Sequence, residues 1–312
     1  MFEGRSMKFW VGVTDNHWYE FLAQRELDEV NFWQPSATPP FKSAPVGMPF
    51  LFKLKRPNNH IAGGGFFVTY STLPISLAWE VFGEKNGAAT LEDFRALLGP
   101  LTNDRRLDSD IGCTVLANPF FLSPERWIEP PGWATSIVRG KMYETNQEEG
   151  AAVWAAVTQN FDQGATKRLT APGIREQDPK YGPAVLVSPR LGQASFRVLI
   201  TDAYKRRCAI TGESTLIALE AAHIIPYSRE GTHDVRNGLL LRADFHRLFD
   251  VGLVSVTPDL RIKISPRIRE AYFNGKAYYR MNDAPLTQIP DRPELRPDRD
   301  RLDWHYKNCF QA

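Results

Sequence analysis

The sequence predicts an α+β chain of two domains, and three observations carry the prediction. Residues 1–161 alternate aromatic-rich strand patterns with short amphipathic helix patterns. Residues 162–184, "DQGATKRLTAPGIREQDPKYGPA", hold no hydrophobic period and collect glycine, proline and charge, as linkers do. Residues 185–312 then set strand-like runs and a short helix around three of the six histidines.

In the first domain, "MKFWVGVT" (7–14) and "MPFLFKLKRP" (48–57) read as strands, the second stopped by proline. "HIAGGGFFVTYS" (60–71) reads as a third, interrupted by Gly63, Gly64 and Gly65. Glycines inside a strand mark a bulge or a sharp bend, as at a barrel corner. A phosphate-cradling loop is the weaker alternative, because no Gly-Lys-Ser/Thr follows and "FFVTY" continues the strand. Helical spacing appears at 17–27, 74–87, 90–99 and 146–161, with Thr90 as N-cap of the third and Gly99 past its end. Short helices around glycine-bent strands predict a small barrel-like domain.

In the second domain Phe196, Leu199, Ile200 and Tyr204 form one apolar helical stripe over 195–206. "LIALEAAHI" (216–224) is strand-like, and "GLVSVTPDLRIKIS" is a hairpin pattern turning at Pro258-Asp259. The charged tail 291–307 reads as a solvated extension or covering loop.

Bulk properties remove several classes. Cys113, Cys208 and Cys309 form no CxxC pair, which excludes a disulfide framework and a zinc site of the CxxC…CxxC kind. No run of about 18 apolar residues or secretory h-region exists, so a cytoplasmic protein with no membrane partner is expected. Residues 1–180 carry 18 Lys/Arg against 21 Asp/Glu, whereas residues 181–312 carry 20 against 15. The positive excess sits with the histidines, and it permits a polyanionic partner.

The chemistry concentrates in "EAAHIIPYSREGTHDVRNGLLLRADFHRLFD" (220–250). His223 ends a strand-like run, Asn237 follows in a polar loop, and His246 lies on a short helix. A neutral imidazole is a suitable base near pH 7, and a second imidazole is a suitable ligand for a divalent ion. An asparagine can bridge backbone groups on both sides of a loop. Arg242 and Arg247 flank the helix as candidates to clamp phosphate. His233 reads as an ordinary loop residue.

This order, with Asn237 fourteen positions after His223 and His246 nine after that, resembles the HNH endonucleases, or ββα-metal nucleases. The wider string over about 188–260 is similar to the branch found at the C-terminus of modification-dependent restriction enzymes. The resemblance implies His223 as general base, Asn237 as loop-ordering residue and His246 as ligand of a divalent ion. Mg²⁺ or Mn²⁺ is expected, and Co²⁺ or Ni²⁺ also suits an imidazole with waters. Many such enzymes carry an aspartate before the first histidine as a second ligand; here that position is Ala222. Glu220 and Asp244 are the nearby carboxylates that stand open as substitutes.

Seven of the eight tryptophans precede residue 160, in a half that is slightly acidic. That balance argues against a plain phosphate-binding surface and for aromatic stacking on an extruded base. The string "FWVGVT…VNFWQPS…GMPFLFKLKRPNNHIAGGGFFVTYS" resembles the EVE/PUA-like domains, β-barrels with flanking helices related to SRA readers. By that resemblance the domain recognises modified cytosine, 5-methyl- or 5-hydroxymethylcytosine, in double-stranded DNA. Its cage candidates are Trp33 with Asn31 and Phe32, then Trp10, Trp79, Asp15 and Asn16. Since one HNH centre cuts one strand, a double-strand break calls for two chains, as in a homodimer, or two binding events. Two other readings stay open at this level: a first domain that binds RNA or a protein partner, and a reader whose nuclease is degenerate.

Overall fold

The computed structural model describes residues 6–40, 44–99, 108–164, 191–229, 231–273 and 275–312. It divides into two compact units, Met1–Arg190 and Leu191–Ala312. From residue 165 onward, the linker expected over 162–184 lies outside the described residues.

The first unit is built on one six-stranded sheet. Its strands are β1 (Lys8–Thr14), β2 (Glu29–Gln34), β3 (Pro49–Leu54), β4 (Ile61–Pro74), β5 (Asp110–Phe121) and β6 (Gly140–Glu144). They lie in the order β2-β5-β4-β3-β1-β6, antiparallel except for the β1–β3 pair. Its helices are α1 (Asn16–Ala23), α2 (Ile75–Phe82), α3 (Leu91–Leu98) and α4 (Glu148–Gly164).

The glycine run in β4 sits where the sequence places a bulge. The register of β4 against β5 shifts between Gly64 and Phe66 and again between Phe67 and Thr69. A Cβ at Gly63 would lie 2.3 Å from the Phe120 carbonyl oxygen, so close backbone approach demands glycine there. Barrel closure, however, is not seen. Among the described residues β2 pairs only with β5 and β6 only with β1, which leaves the sheet open. A barrel needs its first and last strands to share a ladder; here β2 instead meets the turn Gly83–Asn86, whose Lys85 holds Asp28 and Glu29. Aromatic side chains fill the interior: Trp18, Phe32, Phe50 and Phe52 form one edge-to-face and tilted cluster, all buried.

The second unit carries α5 (Gln193–Ala203), β7 (Leu219–His223), β8 (Gly238–Arg242), α6 (Ala243–Asp250), the pair β9 (Val254–Val256) and β10 (Ile262–Ile264), then α7 (Arg267–Tyr272), α8 (Lys276–Tyr279) and α9 (Arg299–Asn308). Strands β7 and β8 are antiparallel, with His223 opposite Gly238. Helix α5 crosses so close to β8 that a Cβ at Gly238 would lie 2.3 Å from Ile200. The apolar stripe read from 195–206 is what packs there: Phe196, Ile200 and Tyr204 join Ala222, Leu239, Leu241 and Phe245 in one core.

The tail corrects the reading from sequence. Residues 299–308 form helix α9, not a solvated extension, and Asp298 caps it by accepting from the Asp300 and Arg301 amides. Leu302 and His305, three apart and so on one face, are buried although the charges around them are not.

Candidate active site

The site is a strand–loop–strand–helix unit. β7 delivers His223 at its last residue, and β8 leads directly into α6, which carries His246 in its second turn. The loop between the strands is held by Asn237, a fully buried residue. Its amide nitrogen donates to the carbonyls of Ile225 and Thr232, both at 3.0 Å, and its Oδ1 accepts from the Ile225 amide at 2.9 Å. One side chain thus ties the loop to itself through three hydrogen bonds at two residues, and His223 leaves the strand in a defined direction.

His223 lies flat on Phe196 of α5, ring centroids 4.0 Å apart and planes 9° from parallel. Its Nε2 is 3.1 Å from Nδ1 of His233, and His233 in turn stacks on Tyr227 at 4.6 Å. Burial first, then the neighbouring imidazoles His233 and His246, hold the pKa of His223 down at about 4. It is therefore neutral at neutral pH, the form a base requires.

His246 stands between two carboxylates. Nδ1 is 2.7 Å from Glu220 Oε2, and Nε2 is 3.3 Å from Asp250 Oδ2. The Glu220 carboxylate can only accept, so Nδ1 carries the proton and Nε2 presents a lone pair. That lone pair faces a second acceptor, Asp250, and only a proton or a cation between them relieves the opposition. Two adjacent ligands about 2.1 Å from an octahedral ion lie about 3 Å apart, so the His246–Asp250 spacing fits a shared divalent ion. Among the described residues no three His, Cys, Asp or Glu converge as a metal cage. A site with two protein ligands, completed by water and phosphate oxygens, is what these residues can build. Ala222 is fully buried in the core, and the carboxylates that stand beside His246 are Glu220 and Asp250. Asp250 escaped the sequence reading, although its spacing of four from His246 on a helix is a legible signal.

The flanking groups divide. Asp244, open as a ligand in the sequence, is committed to Arg242 through two bonds of 2.7 Å and accepts from Tyr278 as well. Arg242 is accordingly engaged by Asp244, while Arg247 is exposed on α6. A cleft of about 720 Å³ in this unit is lined by Arg236, Asp259, Arg296, Arg299 and prolines, and none of the three histidines 223, 233 and 246 borders it.

In the first unit a cleft of about 340 Å³ gathers part of the predicted cage. Asp15, Phe32 and Trp33 line it, joined by Trp18, Gln34, Ser36, Lys55 and Arg139, which sequence reasoning missed because they come from four separate segments. Asp15 is also the N-cap of α1 and pairs with Lys55 at 2.9 Å. Trp33 donates its indole N–H to the Asn86 carbonyl and meets Phe94 edge-on, yet stays partly exposed. Gln34 Oε1 is buried with no hydrogen-bond partner among the described residues. The other predicted cage residues are elsewhere. Asn31 is fully buried, donating to Asn86 and Cys113; Asn16 donates to the Arg56 carbonyl; Trp79 packs on Phe94; and Trp10 is buried against the strand bearing Gly140.

Residues 208–257, which span β7, β8, α6 and the two histidines His223 and His246, match the family described as HNH endonuclease. This segment is an HNH endonuclease domain. The protein is a nuclease, of a class that typically depends on a divalent metal. No curated protein matches the chain. Among solved structures, two point mutants of the ZmASCH protein from Zymomonas mobilis align with 47% of this chain at 8% identity and a TM-score of 0.31, covering 97% and 95% of their own lengths. A structure titled modification dependent TagI restriction endonuclease aligns with 94% of this chain and 79% of its own, at 14% identity and a TM-score of 0.27. Scores this low leave the first unit to be argued from its own residues. No helix among the described residues is long and apolar enough to cross a membrane.

Proposed function

We propose that the protein is a modification-dependent restriction endonuclease. Its first unit, an EVE/PUA-like reader, takes an extruded 5-methyl- or 5-hydroxymethylcytosine from double-stranded DNA, and its HNH domain hydrolyses a phosphodiester with one divalent ion. The observation that carries this reading is the cleft of the first unit, in a chain whose other unit holds a nuclease. A flipped base needs ring faces to stack on and polar atoms for its edge. Trp33, partly exposed, supplies a ring face with buried Phe32 and Trp18 behind it, and Gln34 Oε1 is a buried acceptor that the exocyclic amine of cytosine would satisfy. The volume lies in the range of small-molecule sites.

In the HNH domain His223 takes the proton of the attacking water, being neutral, and Asn237 keeps the loop beneath it in place. His246, oriented by Glu220, and Asp250 would hold a divalent ion, which would neutralise charge on the phosphate and the leaving oxygen. Arg247, exposed on α6, is free to meet a phosphate. Each centre cuts one strand, so a double-strand break uses two chains or two events.

The test is cleavage, with Mg²⁺ or Mn²⁺, of three otherwise identical DNAs containing cytosine, 5-methylcytosine or 5-hydroxymethylcytosine, with His223→Ala alongside. Cutting confined to a modified DNA and absent in the variant is the expected result. Equal cutting of all three would leave the nuclease and remove the reader.

A further inference from the structure

We propose that His233 is the positioning residue of the catalytic base. Its Nδ1 accepts the Nε2–H of His223 and so selects the tautomer whose Nδ1 lone pair takes the proton of water. The inference rests on the reading of His223 as that base.

The contact between the two rings is a single hydrogen bond of 3.1 Å, and one proton must lie in it. If His233 donated, His223 would carry its own proton on Nδ1 and have no lone pair left for water. If His223 donates, its Nδ1 is the basic atom, and that nitrogen lies outside the contact with His233. Only the second arrangement leaves a base. Aromatic surfaces brace both rings. Phe196 lies parallel to His223, Tyr227 lies within 12° of parallel to His233, and the two imidazole centroids are 5.2 Å apart. Phe196 is itself buried in the core, so the stack is anchored in α5, not in the loop. The loop that carries His233 is fastened at the adjacent residue, where the Thr232 carbonyl accepts from Asn237. Asn237 therefore places both members of the pair: it closes the loop behind His223 and pins the backbone beside His233. An imidazole acceptor also differs from a carboxylate in that role, because it orients the base without adding negative charge beside a phosphate.

Two substitutions separate the acceptor from the ring. His233→Phe keeps a ring on Tyr227 and removes the acceptor. His233→Asn removes the ring and sets an amide oxygen close to where Nδ1 stood. Wild type, His223→Ala and both variants are compared on whichever of the three DNAs wild type cuts fastest. Thermal unfolding and binding of that DNA without metal are measured in parallel. Expected is a fall in kcat of about tenfold to a hundredfold for His233→Phe, the range seen when a partner that orients a functional histidine is lost. KM and DNA affinity stay within about twofold, and His233→Asn recovers most of the rate. Wild-type kcat in His233→Phe, with His223→Ala inactive, would overturn the positioning role and leave the base standing. Equal losses in both variants would overturn it too, since the ring and not its acceptor would then matter. Activity retained in His223→Ala would remove the base itself, and the positioning role with it.

Discussion

At the scale of single residues, protonation decides what this site can do. His223 is held near pKa 4 by burial and by the two neighbouring histidines, against about 6.5 for a free imidazole. His223 takes up its own proton only as pH falls toward 4, so its ring is expected to stay neutral from pH 7.5 to about 5.5. An NMR titration of that ring in the metal-free protein checks this, and protonation centred near 6.5 would contradict it. His223→Ala should lower kcat by about a thousandfold, within the span of general-base contributions, while leaving DNA affinity intact. His246 depends on its partners in a different way. Without the Glu220 carboxylate nothing holds the proton on Nδ1, and Nε2 no longer presents its lone pair reliably. Glu220→Ala is accordingly expected to weaken Mn²⁺ binding tenfold to a hundredfold in a calorimetric titration. Unchanged affinity would mean that the ion does not bind through His246. Of these residues His223, Asn237 and His246 were legible through the resemblance of their order and spacing to the HNH endonucleases. It did not display His233 or Phe196 as partners of His223, because a stack between α5, a strand end and a loop has no sequence period.

At the scale of elements, α9 shows how burial overrides composition. Its charged residues read as a solvated tail, yet Leu302 and His305 dock in the core. The His305 ring lies on Phe249 at 3.7 Å; its Nε2–H donates to the Phe249 carbonyl, and Nδ1 lies 2.9 Å from Ser255 Oγ. Burial lowers its pKa to about 4, with the Phe249 carbonyl opposing the shift. Below about 6.5 the unfolded chain binds a proton that the folded ring refuses, so stability is complete above that pH and falls as pH drops toward 4. The slope is about 1.4 kcal/mol per pH unit for one such group, and His223 adds in the same direction. Denaturant unfolding of the second unit between pH 7 and 4.5 should show this loss, and His305→Gln should be less stable at pH 7 but visibly flatter. An equally steep fall in His305→Gln would assign the loss elsewhere. Strand β5 makes the complementary point. "DIGCTVLANPFF" is buried along most of its length, and with Gly, Cys, Ala and Asn in it neither alternation nor β-propensity announces a strand. Strand β4, which runs beside it, was legible because its glycines and β-branched residues mark it.

At the scale of the whole molecule, selection and cutting are assigned to different units, and they should separate in experiment. Trp33→Ala removes a ring from the cleft of the first unit, and loss of one stacking partner costs about 1–3 kcal/mol. It is expected to weaken binding of the modified DNA about tenfold or more without changing Mn²⁺ affinity; His223→Ala should do the reverse, binding without cutting. A Trp33→Ala protein that bound and discriminated like wild type would exclude that ring from the reader.

The sequence by itself determined the nuclease, because the HNH unit is nearly local. His223, Asn237 and His246 fall within one strand–loop–strand–helix segment, and hydrogen bonds inside that segment fix their relations. It also determined most helices of the first unit and the bulge at the glycines of β4, through periodicity and steric need. Only the tertiary structure decided that the sheet is open among the described residues, that Asn31, Trp10 and Trp79 are spent on packing while Gln34 lines the cleft, and that His223 leans on His233. Each of those outcomes depends on which distant segments meet. Burial and stacking reward such meetings by shape, and shape is a property of the assembled core, not of spacing along the chain.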